Sequence, residues 1–140
     1  MQTCRYLCHA DAVSHLPKDR LSQRVLDDAR VCQAISAIGE PGNVASWARR
    51  FALLSDPNRL SLLLSIHHAG PISVTDLAVA TKMRDTSVSQ ALRILRANGT
   101  VMAERHGRVI RYSLADFELV ELLERVTPMA VSAARFRAAH

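Results

Sequence analysis

The sequence predicts a mainly α-helical domain carrying one small β-hairpin. Three observations predict it. The 140 residues are 49% apolar but only 4% aromatic, so the apolar content is mostly Leu, Val, Ala and Ile, which leans helical. Apolar residues recur at helical spacing over much of the chain. The period switches to strand-like alternation once, at 100–114.

The elements follow in order. Residues 1–16 mix Cys, His and small polar groups without a clear period and read as a mobile or ligand-ordered arm. Pro17 and Lys18-Asp19 open a helical stretch with Leu21, Val25, Cys32, Ile35 and Ile38 on one side. Gly39-Glu-Pro-Gly42 breaks it. Val44, Trp47, Ala48, Phe51 and Leu54 form the apolar stripe of a second helix. Asp56 is an N-cap candidate and Pro57 suits the first helical position of the next, whose Leu60, Leu63, Leu64 and Ile66 face a core. His67-His68-Ala69-Gly70-Pro71 closes that helix.

A short helix over Val74–Ala80 is capped by Ser73 or Thr75, and Thr81-Lys82-Met83-Arg84 turns the chain. Asp85 or Thr86 caps the following helix, which buries Val88, Leu92 and Leu95 and ends at Asn98-Gly99. Thr100–Arg105 and Val109–Leu114 alternate around His106-Gly107-Arg108, a hairpin signature. Asp116 caps a last helix with Leu119, Leu122, Leu123 and Val126 inward, and Pro128 interrupts it. Helix, helix, short helix, turn, helix, hairpin, helix is the order of a winged helix-turn-helix. The chain therefore divides into an arm at 1–16, an extra helix and linker at 17–42, and a winged-helix domain at 43–136.

Charge narrows the function. The formal net charge is +5. Between Arg84 and Arg111, six arginines face only Asp85 and Glu104, so most of the excess sits in one stretch, as a polyanion-binding face requires. On the helix after the turn, Thr86, Ser87, Ser89, Gln90 and Arg93 lie on the open side. Gln pairs bidentately with adenine, and Ser and Thr reach bases or phosphates. Arg93 and Arg96 suit phosphates. Arg105, His106 and Arg108 of the hairpin suit the backbone or the minor groove. Each has a plainer role: Thr86 and Ser87 as helix caps, Arg111 as the partner of an internal acid, and the whole stretch as a solvated surface.

Several classes are excluded. No apolar stretch approaches the roughly 20 residues of a membrane span, and the N-terminus lacks the pattern of a signal peptide, so the expected location is the cytoplasm. No nucleophile elbow, phosphate loop or zinc-protease motif occurs, so an enzyme is not expected. Three cysteines, Cys4, Cys8 and Cys32, make a disulfide scaffold improbable.

Four segments together resemble the ArsR/SmtB family: Leu54-Ser-Asp-Pro-Asn-Arg-Leu60, Val74-Thr-Asp-Leu-Ala78, Ser87-Val-Ser-Gln-Ala-Leu-Arg-Ile-Leu-Arg96 and Gly107-Arg-Val-Ile-Arg-Tyr-Ser-Leu114. The resemblance covers about 44–127. It implies a homodimer that binds double-stranded operator DNA and is released by a metal ion. It also implies a dimer interface built from the helices at 43–55 and 116–136, which their apolar stripes suit. Ala91 stands where many members carry His, which implies the loss of a contact from that position.

The segment Thr3-Cys-Arg-Tyr-Leu-Cys8 resembles the arm of the cadmium- and lead-responsive members, whose site is completed by a Cys-x-Cys pair on the short helix. Here those positions are Ser73 and Thr75, poor ligands for soft metals. Cys32 is a substitute third thiolate beside Cys4 and Cys8, with His9 as a fourth ligand; Cys32 is equally well read as core. Such a set takes a thiophilic ion: cadmium, lead or zinc first, with mercury or arsenite also fitting three thiolates. The family's second site, on the last helix, is represented only by Asp116 and Glu118, and Asp116 is as well explained as a helix cap. Two alternatives share the fold: a repressor switched by oxidation of the thiols, and a constitutive DNA-binding regulator.

Overall fold

The computed structural model describes residues 26–128. The chain divides into two compact units, with the boundary between Ala48 and Arg49. In the first, helix α1 spans Asp28–Ile38. Asp27 is its N-cap: the backbone there is extended, and the carboxylate accepts the N–H of Arg30 at 3.1 Å. That cap fixes the start of the helix, so the expected helix running unbroken from 18 to 38 does not form. Gly39, at φ +75°, ends it in a conformation that suits glycine. Val31, Cys32 and Ile35 are half-buried, whereas Ile38, expected on the same face, is 56% exposed. Helix α2, Asn43–Leu54, crosses the boundary between the units.

The second unit holds the core. Helix α3 runs over Pro57–Ala69. Asp56 caps it by accepting the N–H of Arg59 at 2.9 Å, and Pro57 opens its first turn. Arg59 also reaches back to the end of α2. Its guanidinium donates to the carbonyls of Leu53 at 2.9 Å and Ala52 at 3.2 Å, satisfying acceptors the helix leaves open. Leu62, Leu63 and Ile66 are buried; Leu60 and Leu64 only line the core, and Leu62 was not expected in it.

At Gly70 a Cβ would stand 2.5 Å from the Ile66 carbonyl, so no other residue fits there without movement of backbone. Next comes a strand the sequence did not announce, β1, of only Ile72–Ser73. Helices α4, Val74–Thr81, and α5, Asp85–Ala97, follow, joined by a turn in which Lys82 is left-handed at φ 57°. Ser73 caps α4 by accepting the N–H of Asp76 at 3.2 Å.

Strands β2, Val101–His106, and β3, Val109–Leu114, form the hairpin. The sheet is antiparallel in the order β1-β3-β2. His106 pairs with Val109, which leaves a two-residue loop, and Gly107 at φ +65° supplies the positive dihedral such a turn needs. Val101 and Ala103 lie opposite Leu114 and Tyr112 on the face that meets the core, and Met102, Glu104 and His106 point the other way.

Helix α6, Glu118–Val126, closes the unit. Leu119 and Leu123 are buried and Leu122 is half-buried, but Val126 is 50% exposed rather than inward. Thr127 ends the helix in the extended conformation that a following proline imposes. The shared core is Leu62, Leu63, Ile66, Leu77, Ala78, Val88, Ala91, Leu92, Leu95, Val101, Leu119 and Leu123. This is the winged helix-turn-helix that the order of elements predicts.

Candidate nucleic-acid interface

Helix α5 has two faces. Val88, Ala91, Leu92 and Leu95 point into the core. Thr86, Ser87, Ser89, Gln90, Arg93 and Arg96 are all exposed. The structure therefore puts every residue expected on the open side of this helix on one outward surface.

Neither Asp85 nor Thr86 caps α5. Arg84 occupies the cap position and makes no side-chain cap bond, so the first turn keeps free N–H groups beside the Thr86 and Ser87 hydroxyls. Such a terminus favours an anion. The core-facing position of Ala91, 9% exposed, corrects another expectation. This residue turns inward, so a small side chain there serves packing and costs no outward contact.

The hairpin brings a second cationic group. Arg105, His106 and Arg108 are exposed around the turn. Arg105 Nε donates to the Gly107 carbonyl at 3.1 Å and steadies the loop. His106 lies 3.5 Å from Glu104, which offsets part of the local charge. Among the described residues Arg111 has no acidic hydrogen-bond partner; its guanidinium reaches the Pro71 carbonyl at 3.5 Å, tying β3 to the segment before β1.

The candidate metal ligands fare differently. Cys4, Cys8 and His9 lie outside the described residues. Cys32, half-buried on α1, is disulfide-bonded. That pairing is a third state of this thiol, neither the core residue nor the free ligand considered for it.

Asp116 and Glu118 are engaged by a cation of the chain itself. Arg50 Nε donates to Asp116 at 2.8 Å, and its Nη2 lies 2.6 Å from Glu118. The Asp116 hydrogen bond raises the Arg50 pKa, with burial opposing it and the charges of Asp116 and Glu118 adding to it, so the guanidinium is a permanent counter-ion. A divalent ion would have to displace it, so these two carboxylates do not fit a metal. Asp116 also accepts the Glu118 N–H at 3.2 Å, a local cap, although Phe117 holds the formal cap position. Among the described residues no group of three or more His, Cys, Asp and Glu side chains is placed to hold a metal.

Three residues that do structural work escaped the sequence reading. Arg50 is separated from Asp116 by 66 positions, and no local spacing announces the pair. His67 and His68 were read as a helix terminus. They tie α3 to α6: His67 Nε2 lies 2.7 Å from Glu124, and His68 Nε2 lies 3.0 Å from the Thr127 hydroxyl. Since that hydroxyl donates to the Leu123 carbonyl, His68 is the donor in its contact.

No protein-family model matches the chain. The HTH-type transcriptional regulator NmtR of Mycobacterium tuberculosis is 42% identical over 80 residues, covering 57% of this chain and 66% of that protein. The transcriptional repressor SmtB homolog of a Synechocystis species is 40% identical over 79 residues, covering 56% of this chain and 59% of that protein. The chain thus spans about six-tenths of the length of these two curated relatives. Among solved structures, the cadmium metal-sensor CMTR of Mycobacterium tuberculosis is 32% identical and superimposes with a TM-score of 0.50, over 59% of this chain and 85% of that one. No helix among the described residues is long and apolar enough to cross a membrane.

Proposed function

This chain belongs to the ArsR/SmtB family of winged-helix transcriptional regulators, and we propose that it is a metal-responsive repressor that binds operator DNA as a homodimer. One observation carries the DNA reading. The outward face of α5 presents Thr86, Ser87, Ser89 and Gln90 in its N-terminal half and Arg93 and Arg96 beyond, while the hairpin adds Arg105, His106 and Arg108. In the proposed complex α5 lies in the major groove, with Gln90 on base edges and the arginines on phosphates. Paired half-sites one helical turn apart, or a multiple, follow from the two-fold symmetry of a dimer.

The effector is a thiophilic ion, cadmium, lead or zinc, held by Cys4, Cys8 and Cys32 with His9. Support comes from the chemistry of thiolates and from the cadmium-sensing relative. The engagement of Asp116 and Glu118 by Arg50 favours the cysteines over the last-helix carboxylates as ligands. The segment 1–42 is the sensing part and 43–136 the DNA-binding and dimerising part.

The test is fluorescence anisotropy on promoter DNA from the gene's own locus, with reduced protein at one fixed salt concentration. Release by cadmium, lead or zinc that is lost in Cys4→Ser and Cys32→Ser supports the reading. Release that persists in both variants overturns the ligand set.

A second reading has its own observation: Cys32 is disulfide-bonded. Oxidation of the same thiols by a hydroperoxide gives a disulfide, water and an alcohol, and a disulfide cannot be a thiolate ligand. In that reading a mild oxidant releases DNA without any metal, and chelators change nothing.

A further inference from the structure

A groove lies between α5 and the hairpin, and it shares Ser89, Arg93 and Arg96 with the proposed DNA contact. It is an open groove of about 510 Å³, lined by Ser89, Leu92, Arg93, Arg96, Ala97 and Tyr112. Its walls differ in kind. The exposed apolar lining is Ala97 and the half-buried Tyr112 ring, with Leu92 buried beneath them. Arg93 and Arg96, one helical turn apart, supply two guanidiniums, and Ser89 adds a hydroxyl. Neither arginine has an ion pair among the described residues, and the Tyr112 hydroxyl has no hydrogen bond there.

A phosphodiester is small and fully polar, and would leave the apolar lining uncovered. A flat apolar body with one anionic group uses both surfaces. Arginine suits a carboxylate or sulfonate through its planar fork and stacks on an aromatic ring.

We propose that this groove is an effector site for an aromatic organic anion. An occupant takes up Arg93 and Arg96 and stands beside Ser89, all residues of the proposed DNA surface. Ligand and DNA therefore exclude one another, and each weakens the other by the same factor. The binding claim stands on the groove alone, whereas the competition rests on the DNA reading.

The experiment is calorimetric titration of the full-length, reduced, metal-free protein with 1-naphthoate, and with 1-naphthol as its neutral counterpart. Naphthoate is expected to bind at sub-millimolar concentration and naphthol at least about tenfold more weakly. Arg93→Ala/Arg96→Ala and Tyr112→Leu each lose about tenfold or more, while Arg125→Ala on α6 loses nothing. Circular dichroism melts establish that each variant folds; Tyr112→Phe, which keeps the ring, should keep naphthoate binding, and the double variant at exposed Arg93 and Arg96 carries the test if Tyr112→Leu does not fold.

Equal binding of naphthoate and naphthol overturns the proposal, as does binding that survives the double substitution. So does an absence of naphthoate binding in a protein whose DNA affinity falls in the double variant, because the groove then serves the DNA backbone. If naphthoate binds as stated but leaves DNA affinity unchanged, the site stands and the DNA surface assignment is the part that fails.

Discussion

Replacing Asp116 by Asn isolates one interaction. The Arg50 guanidinium donates to both Asp116 oxygens, at 2.8 and 3.5 Å, and approaches Glu118 at 2.6 Å. The side chains of Arg50 and Asp116 are 19% and 17% exposed, whereas Glu118 is 62% exposed, so water screens the Glu118 contact most. A hydrogen bond between charged groups nets about 1.5–3 kcal/mol. Residual exposure places the loss near the lower end, about 1–2 kcal/mol. Asparagine keeps an oxygen for the Glu118 N–H, so the local cap at 3.2 Å survives and does not confuse the measurement.

At about 3–4 °C per kcal/mol for a chain of this size, the thermal midpoint falls by about 3–8 °C. The assay is calorimetric melting of the wild type, Asp116→Asn, Arg50→Gln and the double variant, which gives the coupling between the two side chains. A coupling of about 1 kcal/mol is expected. The Arg50 pKa is raised in the folded protein, so its contribution is fully present below the ordinary arginine value and is lost only as pH climbs through the higher folded one. The coupling should therefore not depend on Arg50 titration anywhere near neutrality. A coupling below about 0.3 kcal/mol refutes the reasoning, because the clamp is then no more than a surface ion pair.

Other perturbations read other parts of the chain. Gly70→Ala drives a Cβ to 2.5 Å from the Ile66 carbonyl, and chemical denaturation should show a loss of about 2 kcal/mol or more. Leu63→Ala, at a fully buried position, should cost about 2–5 kcal/mol in the same assay. Asp56→Ala removes the α3 cap at 2.9 Å and should lower stability by about 1 kcal/mol. Arg108→Ala should weaken every DNA sequence alike and reduce the salt slope of binding by about one, whereas Gln90→Ala should relax sequence preference at a cost of about 1–3 kcal/mol. Asp116→Asn should leave any metal-induced DNA release intact, measured by anisotropy, because Arg50 rather than a metal is the partner of that carboxylate.

What the sequence made legible was local. Asp56-Pro57 marks a helix start because both cap chemistry and a fixed φ act within three residues, and both were found in place. Gly107 marks the hairpin because a two-residue loop needs a positive dihedral. The open face of α5 was legible from period alone. What stayed hidden depends on distant partners or on competing local choices. Strand β1 has two residues, too few for any alternation, and exists because Ile72 and Ser73 meet Tyr112 and Arg111. The Arg50 clamp joins residues 66 positions apart. Asp85, an apparent cap, is instead the first residue of α5, and Asp27, unremarked in the sequence, starts α1. The resemblance implied a lost contact at Ala91, whereas packing turns that position toward the core.

Ser73 holds two positions at once. Its backbone pairs with Arg111 of β3, and its hydroxyl accepts the Asp76 N–H and donates to the Asp76 carboxylate at 2.8 Å. One residue thus welds the hairpin to the first turn of α4, and α4 packs against α5. In the proposed complex, α5 on the bases and the hairpin on the phosphates cannot then tilt independently. In the proposed dimer, a signal that dislodges DNA has little freedom to deform either reading head. It has to alter the distance or angle between two stiff heads, so that both no longer meet their half-sites together.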